Sequence, residues 1–376
     1  MDIKTVKDIS DDREGYKIRV LVIGDPHFKV DNIPEAKIMC MNICEVAEKA
    51  KPDFIVCLGD ILHRHANIHV SPLMQAEEFI GELSKIAYTY LLIGNHDRPN
   101  NSNYLTTDHP FNPLKRWENV CIVDKVVNTT HNGQEFTFVP YVPTGKFNEA
   151  LEDIDYQNST AIFAHQEFMG AKMGAIESKT GDIWSDKNPL VISGHIHDYD
   201  RLSSNVLYIG TPLQHGFGDK TDKTISMFDF NNKKNNENDG NNGKEKGEKE
   251  WKEDEEWKEW NEWNEWKETR IDLDLMKKIT ITLTPEKLLT YEPDPYKLIK
   301  IIVKGDESEI KECVKRKEVK ILKQQGVKIQ YKTIPKNINE KELFSEKVKY
   351  LKRLENAISK SKHQKLWFDK LFASDI

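Results

Sequence analysis

Polar residues able to bind a metal ion stand directly after five separate apolar runs of this chain. Gly24 is followed by Asp25-Pro26-His27, Gly59 by Asp60, Gly94 by Asn95-His96-Asp97, Ala164 by His165, and Gly194 by His195-Ile196-His197. The ligand set offered is Asp25, His27, Asp60, Asn95, His165, His195 and His197: two carboxylates, one amide and four imidazoles, with no thiolate. Such donors suit manganese, iron or zinc better than calcium or a structural zinc. A single ion cannot use them all. Two ions sharing one carboxylate can, and a pair about 3.5–4 Å apart clamps the oxygens of a phosphoryl group during in-line displacement. The chemistry implied is phosphoester hydrolysis. Each element alone is commonplace, and it is their joint recurrence at the ends of apolar runs that carries the reading.

The runs at 18–24, 54–59, 90–94, 161–164 and 190–194 read as buried strands. Between the first three lie segments 34–50 and 73–87, whose apolar residues recur at helical spacing, so strand and helix alternate as βαβαβ. That order predicts a sheet covered by helices on both faces, with the carboxyl ends of its strands forming the crevice in which a ligand binds. Each glycine before a polar residue is expected to turn the chain off its strand and to leave room for a ligand near the backbone. A further strand pair is expected at 136–139 and 206–209.

Residues 231–270 break the pattern with an Asn/Lys/Gly/Glu-rich tract and then WKEDEEWKEWNEWNEWKE, in which Trp257, Trp260, Trp263 and Trp266 recur every third residue. Strand-like segments at 224–230 and 271–283 flank it, so the tract reads as a low-complexity insertion in the loop joining two neighbouring strands, where added length costs little closure entropy. After Tyr296 a compact βαβ unit follows: a strand at 298–305, a helix at 308–324 and a strand at 327–334. An amphipathic helical segment is expected over 339–376, where Leu343, Val348, Leu351, Leu354 and Ile358 recur among lysines. The expected domains are therefore 1–230 with 271–284, the insertion 231–270, a small α+β domain 285–338 and the helical segment 339–376.

A chain of 376 residues is long for one core. Its first residues carry charge throughout, and no stretch approaches the apolar length that spans a bilayer. Cys40, Cys44, Cys57, Cys121 and Cys313 are odd in number and lack CxxC spacing. These features point to a soluble, reduced, intracellular protein with no membrane partner. The formal net charge of −7 divides into −11 for 1–230, −4 for 231–270 and +8 for 271–376. A basic C-terminal third is thereby available for contact with nucleic acid, with Lys311, Lys315, Arg316, Lys317 and Lys320 as either a phosphate track or a solvated helix face.

The ordered series GDPH, GDILHR, GNHD, the single His of AHQE, and GHIH resembles the motif set of the calcineurin-like metallophosphoesterases. That resemblance implies an α/β fold, a metallophosphoesterase β-sandwich flanked by helices, with a small α+β C-terminal capping domain. It implies that Asp25, His27 and His197 hold a first divalent ion, that Asn95, His165 and His195 hold a second, and that Asp60 bridges them. His96 would face the leaving-group oxygen, with Asp97 positioning its loop.

Phosphatases of the superfamily carry GDxxDRG and GNHE, whereas this chain has His63 three residues after Asp60, and GNHD. A histidine there resembles the branch of the bacterial SbcD subunit and the nuclease subunit of the MRN complex, which implies a second catalytic role for His63 in positioning DNA or the leaving group. Arg64 matches the phosphatase arginine and would either bind phosphate or make a surface salt bridge. The stretch LYIGTPLQHGFGD, 207–219, is similar to the strand and turn that follow the last histidine motif in SbcD-like nucleases. The resemblance is specific over 18–220 and architectural beyond.

The function it implies is that of a manganese-dependent exo- or endonuclease of DNA repair or recombination, iron and zinc also fitting the donors. Its partners would be DNA and an SMC-like coiled-coil ATPase of the SbcC type, and a homodimer is compatible with it. Two alternatives stay open: a nucleotide or small-molecule phosphodiesterase or phosphatase, and a non-catalytic binding module on the same fold.

Overall fold

A computed structural model of the chain describes residues 3–9, 17–174, 176–231, 266–334, 349, 350 and 353. The chain divides into two compact units, Met1–Lys277 and Lys278–Ile376.

The strands of the first unit are apolar because they are buried on both sides. In Lys17–Ile23, Val20 and Val22 face one core while Leu21 and Ile23 face another, and Phe54–Cys57 divides in the same way. Continuous apolar runs, not alternating ones, are what such strands require. A seven-stranded sheet runs in the order Ile3–Thr5, Trp266–Asp272, Ile225–Asn231, Lys17–Ile23, Phe54–Cys57, Tyr88–Leu92, Val120–Val123, the last four parallel to one another. A six-stranded sheet runs in the order Asp200–Ser203, Val206–Tyr208, Val191–Ser193, Ala161–Ala164, Gln134–Val139, Val127–His131, with its four central strands parallel.

The two sheets pack face to face through Val20, Val22, Phe54, Val56, Phe136, Phe138, Phe163 and Ile192. Helices Ile33–Ala50 and Val70–Ile86 both lie on the outer face of the seven-stranded sheet, burying the stripes Met39, Ile43, Ala47 and Ala76, Phe79, Leu83. The expectation of helices on both faces of one sheet is corrected here. The inner face is covered by a second sheet, and the architecture is the α/β sandwich flanked by helices. Strands 134–139 and 206–208, expected to pair, lie in one sheet but with two strands between them.

Strands Ile225–Asn231 and Trp266–Asp272 pair antiparallel, with Phe230 opposite Trp266, so the low-complexity tract does join neighbouring strands. Its boundary shifts, because Trp266 to Arg270 belong to a strand and Trp266 packs on the inter-sheet core. Residues 232–265 lie outside the described residues, as do most of 339–376. The segment 271–283, expected as one strand, is two in different sheets. Asp274 at φ 53 interrupts the extended chain, and Lys277–Leu283 joins the second unit's sheet.

In that unit Lys277–Leu283, Lys297–Gly305 and Lys328–Thr333 form a three-stranded sheet, the last two parallel. The helix expected at 308–324 is two, Glu307–Val314 and Lys317–Gln324. Cys313 and Val319, both in the unit's core, are six residues apart, out of phase on one straight helix, and the break lets both stripes reach it. Lys311 and Arg316 pair with Glu307 and Glu312 on the first helix's surface, at 2.5 and 3.2 Å. Among the described residues no helix is long and apolar enough to cross a membrane.

Candidate metal centre

The parallel strands of both sheets deliver their polar termini to one place. From the seven-stranded sheet come Asp25 and His27 after Ile23, Asp60 after Cys57, and Asn95 after Leu92. From the six-stranded sheet come His165 after Ala164, and His195 and His197 after Ser193. Asn95 Oδ1 lies 3.0 Å from His165 Nε2 and 3.0 Å from His195 Nδ1. His27 Nε2 and His197 Nε2 face each other at 3.1 Å. Between these two groups stands Asp60, whose Oδ2 is 3.6 Å from His27 Nε2 and 3.4 Å from His165 Nε2. Asp25 Oδ2 accepts the His195 backbone N–H at 2.8 Å.

The donors fit divalent cations. His165 Nδ1 donates to the Leu58 carbonyl at 2.8 Å and His27 Nδ1 to that of Leu62 at 3.3 Å, which turns each Nε2 toward Asp60 as the atom a cation would bind. Asp25 Oδ1 is buried with no hydrogen-bond partner, a costly state for a carboxylate oxygen unless a cation faces it. Burial pushes the Asp25 carboxyl well up, His165 opposing and Asp60 adding to the effect. Burial alone would depress His165, but the Asp60 and Asp25 carboxylates outweigh it and lift the ring to about 9. A crowd of buried carboxylates sharing too few positive charges is the electrostatic counterpart of a cation site.

The backbone is strained where the candidate ligands emerge. His27, Asp60 and His195 hold φ of 46, 49 and 78, in the left-handed region that residues with a Cβ seldom adopt. The glycines before the ligands have less uniform reasons than expected. Gly59 alone among the four has a positive φ, 111. Gly94 is required by proximity, because a Cβ there would sit 2.2 Å from Asp60 Oδ1 and 2.3 Å from Asp60 N. Gly94→Ala is therefore expected to displace the Asp60 carboxylate, lowering stability by about 3 kcal/mol. A thermal melt beside an activity assay checks this, and a variant with wild-type values in both would show that the loop yields freely.

Around the centre, Asp97 binds backbone: its carboxylate accepts the N–H groups of Leu62, Gly94 and Ile61 at 2.9, 3.1 and 3.3 Å. Burial, with the Asp60 charge, raises it to about 7. His96 donates its backbone N–H to Asp60 Oδ1 at 2.8 Å, and its Nδ1 bonds the His63 carbonyl at 2.8 Å. The His63 ring lies parallel to that of His96, centroids 5.9 Å apart. His63 also lines a groove of about 490 Å³ with Phe28, Lys29, Leu62, Arg64 and His69. Arg64 is exposed on its rim, and no ion pair of Arg64 is found among the described residues.

The family model for calcineurin-like phosphoesterase matches residues 18–223, the span that carries every strand end described above. This chain is a calcineurin-like phosphoesterase. Two viral relatives agree. "Putative phosphoesterase 244L" of Invertebrate iridescent virus 6 is 38% identical over 306 residues, covering 80% of this chain and 99% of the relative. "Putative phosphoesterase 078R" of Invertebrate iridescent virus 3 is 45% identical over 222 residues, covering 58% of this chain and 64% of that relative's length. Among solved structures, the E. coli phosphoesterase Yfce aligns over 56% of this chain and 91% of its own, at 11% identity and a TM-score of 0.29.

In this calcineurin-like phosphoesterase three residues near the centre escape a reading of strand ends. Glu167, two residues beyond His165, brings Oε2 to 3.8 Å from His195 Nε2, on the side of the ring away from Asn95. His65 stacks on His96, with centroids 4.5 Å apart at 21°. His215 bonds the Asp25 carbonyl through Nε2 at 3.2 Å. The only signal for them in the sequence is that they are polar residues close to a motif, and many such residues are surface groups.

Proposed function

We propose that this phosphoesterase is a metal-dependent phosphodiesterase of nucleic acid, a DNA nuclease of the SbcD and MRN type. The observation that carries the reading is the groove beside His63. Its walls include the exposed Val30, at 55%, and Ile68, at 42%, so it opens to solvent instead of enclosing a small substrate, and Lys29 and Arg64 outnumber the one carboxylate there, Asp31, which pairs with Lys29 at 3.9 Å. A strand can continue along such a groove from a phosphate at the centre. An enclosed pocket without basic residues would have favoured a small phosphoester.

In this reading Asp25, His27 and His197 would hold one divalent ion and Asn95, His165 and His195 another, with Asp60 standing between the two groups. Manganese is the proposed metal, and iron and zinc fit the same donors. When bound, the ions supply Lewis acidity that neutralises the phosphoryl oxygens and makes water a competent nucleophile. The chain's own residues do the rest. His96, its Nδ1–H held by the His63 carbonyl and its backbone N–H by Asp60, acts from the imidazolium form and donates the Nε2 proton to the leaving oxygen, burial holding its pKa below the usual value so that the proton is readily given up. Arg64, with Lys29 beside it, holds a neighbouring phosphate of the strand. An SMC-like ATPase partner, the role in repair or recombination and dimer formation rest on the family resemblance alone.

The test compares end-labelled double-stranded DNA with bis-p-nitrophenyl phosphate in Mn²⁺ and in chelator. Degradation of DNA that requires the metal is the expected result. Cleavage of the small ester with DNA untouched would replace this reading with a small-molecule phosphodiesterase.

A further inference from the structure

His215 stands apart from the residues that follow strand ends. It lies in the loop after Val206–Tyr208, yet its ring meets His27 edge-on with centroids 4.9 Å apart and His197 at 5.2 Å. One ring nitrogen from each of His27, His197 and His215 falls within 4.8 Å of the others. The Asp25 carbonyl can only accept, so the bond at 3.2 Å places the proton on His215 Nε2 and leaves the lone pair on Nδ1. That Nδ1 is buried and has no hydrogen-bond partner. A buried imidazole nitrogen with an unused lone pair, beside two imidazoles that face one another, is a donor awaiting an acceptor.

The loop is built to hold the ring there. The backbone N–H groups of His215 and Gly216 both donate to Asp219 Oδ2, at 2.7 and 3.0 Å, and the Thr211 N–H donates to the His197 carbonyl at 3.1 Å. Lys29 Nζ donates to the His215 carbonyl at 3.2 Å. Two of these bonds tie the loop to the segments that carry His27 and His197 themselves.

We propose that His215 is a further ligand of the ion held by Asp25, His27 and His197. This deepens the metal-dependent reading above and rests on it. A third imidazole makes that position richer in nitrogen than its partner and tilts it toward zinc relative to manganese, since nitrogen donors and the stability order of divalent ions both favour zinc.

Full-length protein stripped by chelation is titrated calorimetrically with Zn²⁺ and, separately, with Mn²⁺, for wild type, His215→Ala and His215→Asn. Thermal melts in chelator show that each variant is folded, and the asparagine variant fills more of the ring's space should alanine fold poorly. The expected result is two ions per wild-type chain, with one weakened by about tenfold or more in the variants, a scale typical of residues that shape a metal site. The loss is expected to be larger for Zn²⁺ than for Mn²⁺. Wild-type affinities and an unchanged zinc-to-manganese ratio in both variants would overturn the assignment of His215 while leaving the metal centre in place. A wild-type chain that takes up neither ion would overturn both.

Discussion

Asp60→Ala is expected to lower kcat/KM on a phosphodiester by about a thousandfold or more, equivalent to about 4 kcal/mol of transition-state stabilisation. The reason is position. Among the described residues, Asp60 Oδ2 is the one carboxylate oxygen paired with both His27 Nε2 and His165 Nε2, at 3.6 and 3.4 Å. Its other oxygen accepts the backbone N–H of His96 at 2.8 Å, so the substitution removes the contact between the two ligand groups and the anchor of the acid at once. Burial would by itself raise this carboxyl, but His165 and His27 hold it well below the usual range, so it is an anion at neutral pH. Asp60→Asn keeps the shape and one hydrogen bond but not the charge, and should lose nearly as much. Steady-state rates with metal content per chain provide the check. An alanine variant that binds two ions and retains a tenth of the activity would show that Asp60 does not bridge.

His96→Ala is expected to cost about 10²- to 10⁴-fold in kcat, the range for a positioned general acid, with the metal content unchanged. The loss should depend on the leaving group. A p-nitrophenolate departs without protonation, whereas a sugar alkoxide needs it, so the variant should be impaired far more on DNA than on bis-p-nitrophenyl phosphate. Equal losses on both would make His96 a structural residue of the loop that Asp97 anchors.

The positions of these groups were legible in the sequence because motifs that are commonplace singly recur after five buried strands, and five such ends converge only if the strands run parallel. The helices over 34–50 and 73–87 were equally plain, but periodicity marks which face of a helix is buried and not which face of a sheet it covers. Hence only the family resemblance implied the sandwich, and periodicity did not reveal the second sheet as the cover of the first. Its edge strands Val127–His131 and Asp200–Ser203 are half-exposed and polar, with none of the apolar continuity of the central strands. His215 was illegible for a different reason. It follows a Thr-Pro turn instead of a strand, and only the folding of that loop against Asp25 brings it to the centre. The split of 308–324 could have been read from the six-residue gap between Cys313 and Val319.

Asp25, Asp60 and Asn95 rise from one sheet, and His165 and His195 from the other. An ion held between them would fasten the two halves of the sandwich across their shared edge, acting as a clasp on the tertiary structure as well as a reagent. Binding confined to the folded chain adds about 2.7 kcal/mol of folding free energy when free ion stands at a hundred times its Kd. Metal supply would then set how long each copy survives proteolysis, so that cellular abundance and catalytic competence rise and fall together.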